Sequence, residues 1–204
     1  MPKTILCYGD SNTWGCTPGV LKRLPEDVRW TGVAKEALGP EYRIIDDGIN
    51  GRTTIYDDPA NQCRNGLAGL GYSLYRAKPL DLMVVMLGTN DINYTDPEGY
   101  RLGITVIGRR VLGANSFYPG SSPVFPDRPK LLLVSPILLD PGAAAYKASL
   151  RLAEMTEAAA EELGVPWFDA ASVAKPSPLD LCHMDAENHR KLGEALAARI
   201  RKLT

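Results

Sequence analysis

The sequence predicts an α/β fold, a three-layer α/β/α sandwich around a five-stranded parallel sheet, and three observations lead to it. Short apolar runs alternate with longer amphipathic stretches along the whole chain. Those runs are nearly unbroken by polar residues, as strands covered on both faces require. Several also end in turn chemistry, Gly-Asp-Ser after the first, Asp-Gly-Ile-Asn-Gly after the second and Gly-Thr-Asn-Asp after the third. Such loops leave the carboxyl ends of strands, where open α/β sheets place their sites.

The strands are expected at residues 4–8, 42–46, 82–87, 130–134 and 165–168, and helices at 27–38, 61–76, 97–112, 143–163 and 186–203. In the last helix Leu192, Leu196, Ile200 and Leu203 recur at helical spacing, with Arg and Lys opposite. Regular strand–helix alternation implies parallel neighbours joined by crossovers, and the expected strand order is flavodoxin-like, 2-1-3-4-5. Residues 113–129 are rich in Gly, Ser and Pro without periodicity, so they form a loop. Its length in a compact domain marks it as a substrate-side or interface loop. A chain of 204 residues fits one domain, residues 1–204.

Composition narrows the partners. A net charge of −1 and a pI near 6.1 leave no basic footprint for nucleic acid or an anionic membrane surface. A small neutral or weakly charged molecule is the expected partner, and the sequence leaves a homo-oligomer open. Cys7, Cys16, Cys63 and Cys182 are scattered with no CxxC pair, as reduced structural thiols would be. No apolar run approaches membrane length and no secretory leader is recognisable, so the expected setting is the cytoplasm.

Four places carry chemistry. Ser11 follows an apolar strand and opens a polar turn, where free backbone N–H groups favour negative charge. An N-cap is the plainer role for such a serine. A hydroxyl needs a base to become a nucleophile, and the base needs an orienting carboxylate. Asp180 and His183 lie three residues apart on one loop, and only His189 competes as the base. His189 sits inside the last helix, near its start, on a side that could be solvent. Asn90 offers a side-chain amide after the third strand. Gly51 offers a backbone N–H after the second, where a substrate can come close. Each alone is as readily a turn residue.

Together these residues resemble the SGNH, or GDSL-type, hydrolases. The nucleophile block is Gly9-Asp10-Ser11-Asn12-Thr13-Trp14-Gly15, the glycine block is Gly48-Ile-Asn-Gly51, the third is Gly88-Thr-Asn90-Asp91 and the last is Asp180-Leu-Cys-His183. All four stand in order and span nearly the whole chain. The resemblance is closest to the aryl-esterase, acyltransferase and carbohydrate-acetylesterase branch. It implies Ser11 as nucleophile, His183 as base and Asp180 as its orienter. It also implies an oxyanion hole from Ser11, Gly51 and Asn90, with no metal or cofactor. Substrates would be small esters, such as aryl or sugar acetates, with acyl transfer to alcohols a second outcome. Asp10 and Asp91 are expected to brace the loops. Asn12 and Trp14 are expected to line the space beside the acyl group and restrict it to short chains. Two other classes fit parts of the pattern. Ser11–Thr17 is faintly like the phosphate loop of a flavin-binding module, although Asp10 and Trp14 oppose that use. A carbohydrate-binding protein without activity would not need the triad.

Overall fold

The computed structural model of the protein describes residues 2–20 and 22–204. Strands β1 (Lys3–Gly9), β2 (Tyr42–Gly48), β3 (Leu82–Met86), β4 (Leu131–Ser135) and β5 (Trp167–Asp169) form one sheet in the order β2-β1-β3-β4-β5. Every neighbouring pair is parallel. The expected class and strand order are both observed.

The helices are α1 (Ser11–Trp14), α2 (Trp30–Leu38), α3 (Gly66–Ala77), α4 (Pro97–Leu112), α5 (Ala114–Phe117), α6 (Tyr146–Ser149), α7 (Leu152–Leu163) and α8 (Ala186–Leu203). Alternate residues of β1 feed two separate cores. Ile5 and Cys7 join Trp30, Ala34, Leu192, Leu196 and Ile200 of α2 and α8. Leu6 and Tyr8 join Leu70, Leu74, Ile104 and Met155 of α3, α4 and α7. Side chains alternate across a strand, so a sheet dressed on both faces demands the unbroken apolar run seen in the sequence.

Two expected helices are divided. Asn65 accepts the Ala68 N–H at 3.1 Å and so starts α3 afresh, leaving a short 3-10 turn at Gln62–Arg64. The stretch 143–163 is α6 and α7 with a break at Leu150 and Arg151. The loop at 113–129 does not lie on the substrate side, one of the two roles expected of it. It carries α5, buries Val124 and Phe125, and the Val124 carbonyl accepts the Leu80 N–H at 2.8 Å. Leu80 precedes β3, so this loop packs at the amino ends of the strands, the side away from Ser11.

The register decides where the site forms. Gly48, Gly9, Met86, Val134 and Phe168 lie in one row across the sheet. Ser11, Gly51 and Asn90 follow this row by two, three and four residues, so one edge displays all three.

Candidate active site

Gly9 ends β1 because the chain turns sharply there; a Cβ would lie 2.0 Å from Thr13 Oγ1. Asp10 then caps α1, its Oδ1 accepting the Asn12 N–H at 2.9 Å. Ser11 is the first helical residue, so its N–H has no intrahelical acceptor. Burial pushes the Asp10 carboxyl up to about 6, against the Asn12 N–H and the nearby His183 and Arg52.

His183 Nε2 lies 3.0 Å from Ser11 Oγ, and His183 Nδ1 lies 2.7 Å from Asp180 Oδ2. Asp180 is held from several directions. Its Oδ1 accepts the N–H groups of His183 at 2.9 Å and Cys182 at 3.2 Å, and its Oδ2 accepts that of Gly19 at 2.9 Å. Partial burial opposes its charge, but these bonds outweigh it and keep the carboxyl below the usual range. Leu181, inside the turn, has φ +66°, the one positive value for a residue other than glycine among the described residues. Such a conformation costs about 1–3 kcal/mol, and here it folds Asp180 back onto the His183 ring. Burial pushes the intervening Cys182 thiol up to about 12, so it stays protonated.

Two further loops bring hydrogen-bond donors to the same edge. Asn90 Nδ2 donates to the Arg52 carbonyl at 3.0 Å, which orients the amide and leaves its second hydrogen free. Asp91 accepts the Thr54 N–H at 3.0 Å, and also the Thr54 hydroxyl, so the loops after β2 and β3 are tied together. Burial pushes the Asp91 carboxyl up to about 6. Arg52 is itself buried, donating to the Gly9 carbonyl at 3.0 Å and the Asp47 carbonyl at 2.6 Å while stacking on Tyr8. Gly51 takes φ +77°, and no described residue accepts its N–H in a hydrogen bond.

The structure thus brings Ser11, Asp180 and His183 together and sets Gly51 and Asn90 on loops of the same edge. Three other expectations need correction. Asn12 does not line an acyl space; it is buried, with its amide bonded to Cys182 and Met184. The Trp14 ring lies beside Arg23 in a cleft shared with Asp46, Ser73 and Arg76. Gly48 packs so closely on the Trp14 backbone that α1 sits on the end of β2 and turns this ring over the sheet edge. His189 is fully buried rather than solvent-facing, and its Nδ1 accepts the Trp30 N–H at 3.2 Å. The contributions of Gly19, Arg52 and Leu181 had no local signal, because each depends on contacts distant in the chain or on a single backbone angle.

Sheet, loops and donors define the chain as an α/β hydrolase of carboxylic esters. It belongs to the GDSL-like lipase/acylhydrolase family, whose model matches residues 7–191. Among solved structures it is similar to the inhibitor-bound aryl esterase of M. smegmatis, at 37% identity and a TM-score of 0.92, over 99% of this chain and 100% of that one. A carbohydrate acetylesterase from Sinorhizobium meliloti matches at 32% identity and 0.91, over 99% of this chain and 100% of that one. A putative arylesterase from Agrobacterium tumefaciens matches at 38% and 0.88, again over 99% and 100%. No curated protein sequence matches the chain.

Proposed function

We propose that Ser11, His183 and Asp180 form the catalytic triad of an esterase acting on acetyl and other short acyl esters of phenols or sugars. The observation that carries this reading is the unbroken line from Ser11 Oγ to His183 Nε2 at 3.0 Å and from His183 Nδ1 to Asp180 at 2.7 Å. Neutral His183 takes the Ser11 proton as Oγ attacks the ester carbonyl, and Asp180 fixes the ring tautomer and stabilises the imidazolium. The N–H of Ser11, the N–H of Gly51 and the free hydrogen of the Asn90 amide meet the oxyanion. His183 returns the proton to the leaving alkoxide or phenoxide. Water, or a second alcohol, then cleaves the acyl-enzyme.

The substrate class draws on the aryl esterase and the carbohydrate acetylesterase that the chain is similar to. It also draws on the surface. Clefts of about 510 Å³ between α2 and α8 and about 300 Å³ beside Trp14 are lined by neither Ser11 nor His183, so neither offers an acyl channel. An added methylene gains ~0.8 kcal/mol only where an apolar wall receives it. The four cysteines are free and Cys63 is exposed, a pattern suited to a reducing compartment and so to the cytoplasm.

The test is kcat/KM on 4-nitrophenyl esters from acetate to decanoate and on acetylated sugars, with Ser11→Ala as control. Acetate should lead and Ser11→Ala should lose all but a small residue of the activity. A maximum at octanoate or beyond would overturn the substrate class.

A further inference from the structure

Asn12 follows the nucleophile directly and is 2% exposed. Its Oδ1 accepts the Met184 N–H at 3.0 Å, and its Nδ2 donates to the Cys182 carbonyl at 3.3 Å. Those two backbone groups flank His183, one on each side. A single carboxamide thus grips the peptide before the base and the peptide after it. Several other bonds at this turn are internal to the segment. His183 N–H donates to Asp180 Oδ1 at 2.9 Å, and Ser177 N–H donates to the His183 carbonyl at 2.8 Å. They shape the turn but do not set its distance from Ser11. Besides the Ser11–His183 contact itself, the turn is tied outward by the Asn12 grip, by the Gly19 N–H on Asp180 at 2.9 Å and by the Asp140 N–H on the Leu181 carbonyl at 2.9 Å, and of these only the Asn12 grip comes from the nucleophile's own helix.

We propose that Asn12 is a positioning residue for the ester-cleaving reaction, clasping His183 at a fixed distance from Ser11. The proposal rests on the triad reading above. Few side chains can do this. A carboxamide offers a donor and an acceptor on one rigid plane, whereas an ionised carboxylate has no donor and an aliphatic chain has neither. The clasp is built into the nucleophile's own helix, so movement of Ser11 and movement of His183 are coupled. With the amide 2% exposed and gripping backbone on both sides, Asn12 is turned toward the His183 turn rather than toward a substrate pocket.

The experiment compares Asn12→Leu, Asn12→Asp and Ser11→Ala with the parent on 4-nitrophenyl acetate, butyrate and octanoate. Misplacing a reacting group by an ångström costs up to about 100-fold, so Asn12→Leu should lower kcat by about 10–100-fold on all three esters while KM changes less than about twofold. The low-field proton resonance of the His183 Nδ1–H shared with Asp180 should broaden or vanish. Asn12→Asp keeps the acceptor for Met184, so its kcat should fall in the same direction by less; it carries the test if Asn12→Leu does not fold. Parent kcat and an unchanged resonance in whichever variant folds would overturn the clasp. So would a change confined to acyl-length preference, which would make Asn12 a pocket wall. An inactive Ser11→Ala beside a fully active Asn12→Leu would reject the clasp alone. An active Ser11→Ala would remove the triad reading and the clasp with it.

Discussion

Ser11 Oγ and His183 Nε2 stand 3.0 Å apart although 172 residues separate them. The sheet register sets Ser11 at the carboxyl edge, and the final loop folds back onto it. Loss of either partner should therefore be severe. Ser11→Ala and His183→Ala should each leave only the ~10³–10⁴-fold residual rate over water that binding and the oxyanion hole supply. The Ser11 variant should keep the parent thermal midpoint, because the hydroxyl has no structural partner but the base. Steady-state rates on 4-nitrophenyl acetate check both, and near-parent turnover in either would end the triad reading.

His189 should behave in the opposite way, harming stability but not chemistry. Burial pushes this ring down to about 4, and in its neutral form Nδ1 accepts the Trp30 N–H. The folded pKa is depressed, so the unfolded chain binds the extra proton between about 6.5 and about 4. Its stabilising effect is complete above about 6.5 and is lost as pH falls to about 4. Asp10 and Asp91 work the other way. Their carboxyls are raised to about 6, so the stability they contribute is present at low pH and lost as pH rises through that value. The two trends oppose each other in wild type. His189→Gln keeps an acceptor for Trp30 and removes the titration, so it should lose less stability than wild type between pH 7 and 4.5. Thermal midpoints at the two pH values decide this; equal slopes would assign the acid sensitivity elsewhere. His189→Ala should cost about 1–3 kcal/mol by stranding the Trp30 N–H, with kcat of the folded protein unchanged.

Asn90 separates binding from chemistry. Its amide already spends one hydrogen on the Arg52 carbonyl, so its other hydrogen is the one available to an oxyanion. Asn90→Ala should lower kcat by roughly 10²–10³, the usual loss for one such donor. KM should change far less, because the charge it meets exists only in the transition state. A raised KM at full kcat would recast the amide as a ground-state contact.

Fold class and strand order were legible because a parallel sheet leaves a strong imprint, five apolar runs with turn residues at one end. That Ser11, Asn90 and the Asp180–His183 pair meet on one edge of the sheet was legible because each sits beside a strand end or a helix start. Asn12 and His189 were misplaced for a single reason. Both are polar residues in short polar stretches, where sequence suggests water or substrate, and both are buried by partners far along the chain. Nothing near Asn12 signals Met184, and nothing near His189 signals the Trp30 N–H. The break between α6 and α7 was missed because Ala-rich residues 143–163 suit a helix throughout.

Gly51 offers a sharper test of the oxyanion hole, because it can be disturbed without removing a side chain. Its φ of +77° is one that a residue with a Cβ adopts at a cost. A Cβ would also lie 2.5 Å from Arg64 Nε and 2.8 Å from Arg64 Cζ. Arg64 does not yield freely, since its Nη1 is paired with Asp58 at 2.6 Å and Asp58 is itself buried. Gly51→Ala therefore has to move the backbone, and with it the N–H proposed as an oxyanion donor. A shift of about 1 Å should lower kcat by up to 100-fold, with a stability loss of about 1 kcal/mol or more from the strained angle. The collision and the angle can be told apart. Arg64→Ala in the Gly51→Ala background removes the clash but leaves the φ, so part of the lost kcat should return while part of the stability loss remains. If Gly51→Ala folds and keeps the parent kcat, its N–H is not an oxyanion donor, and the hole would be formed by Ser11 and Asn90 alone.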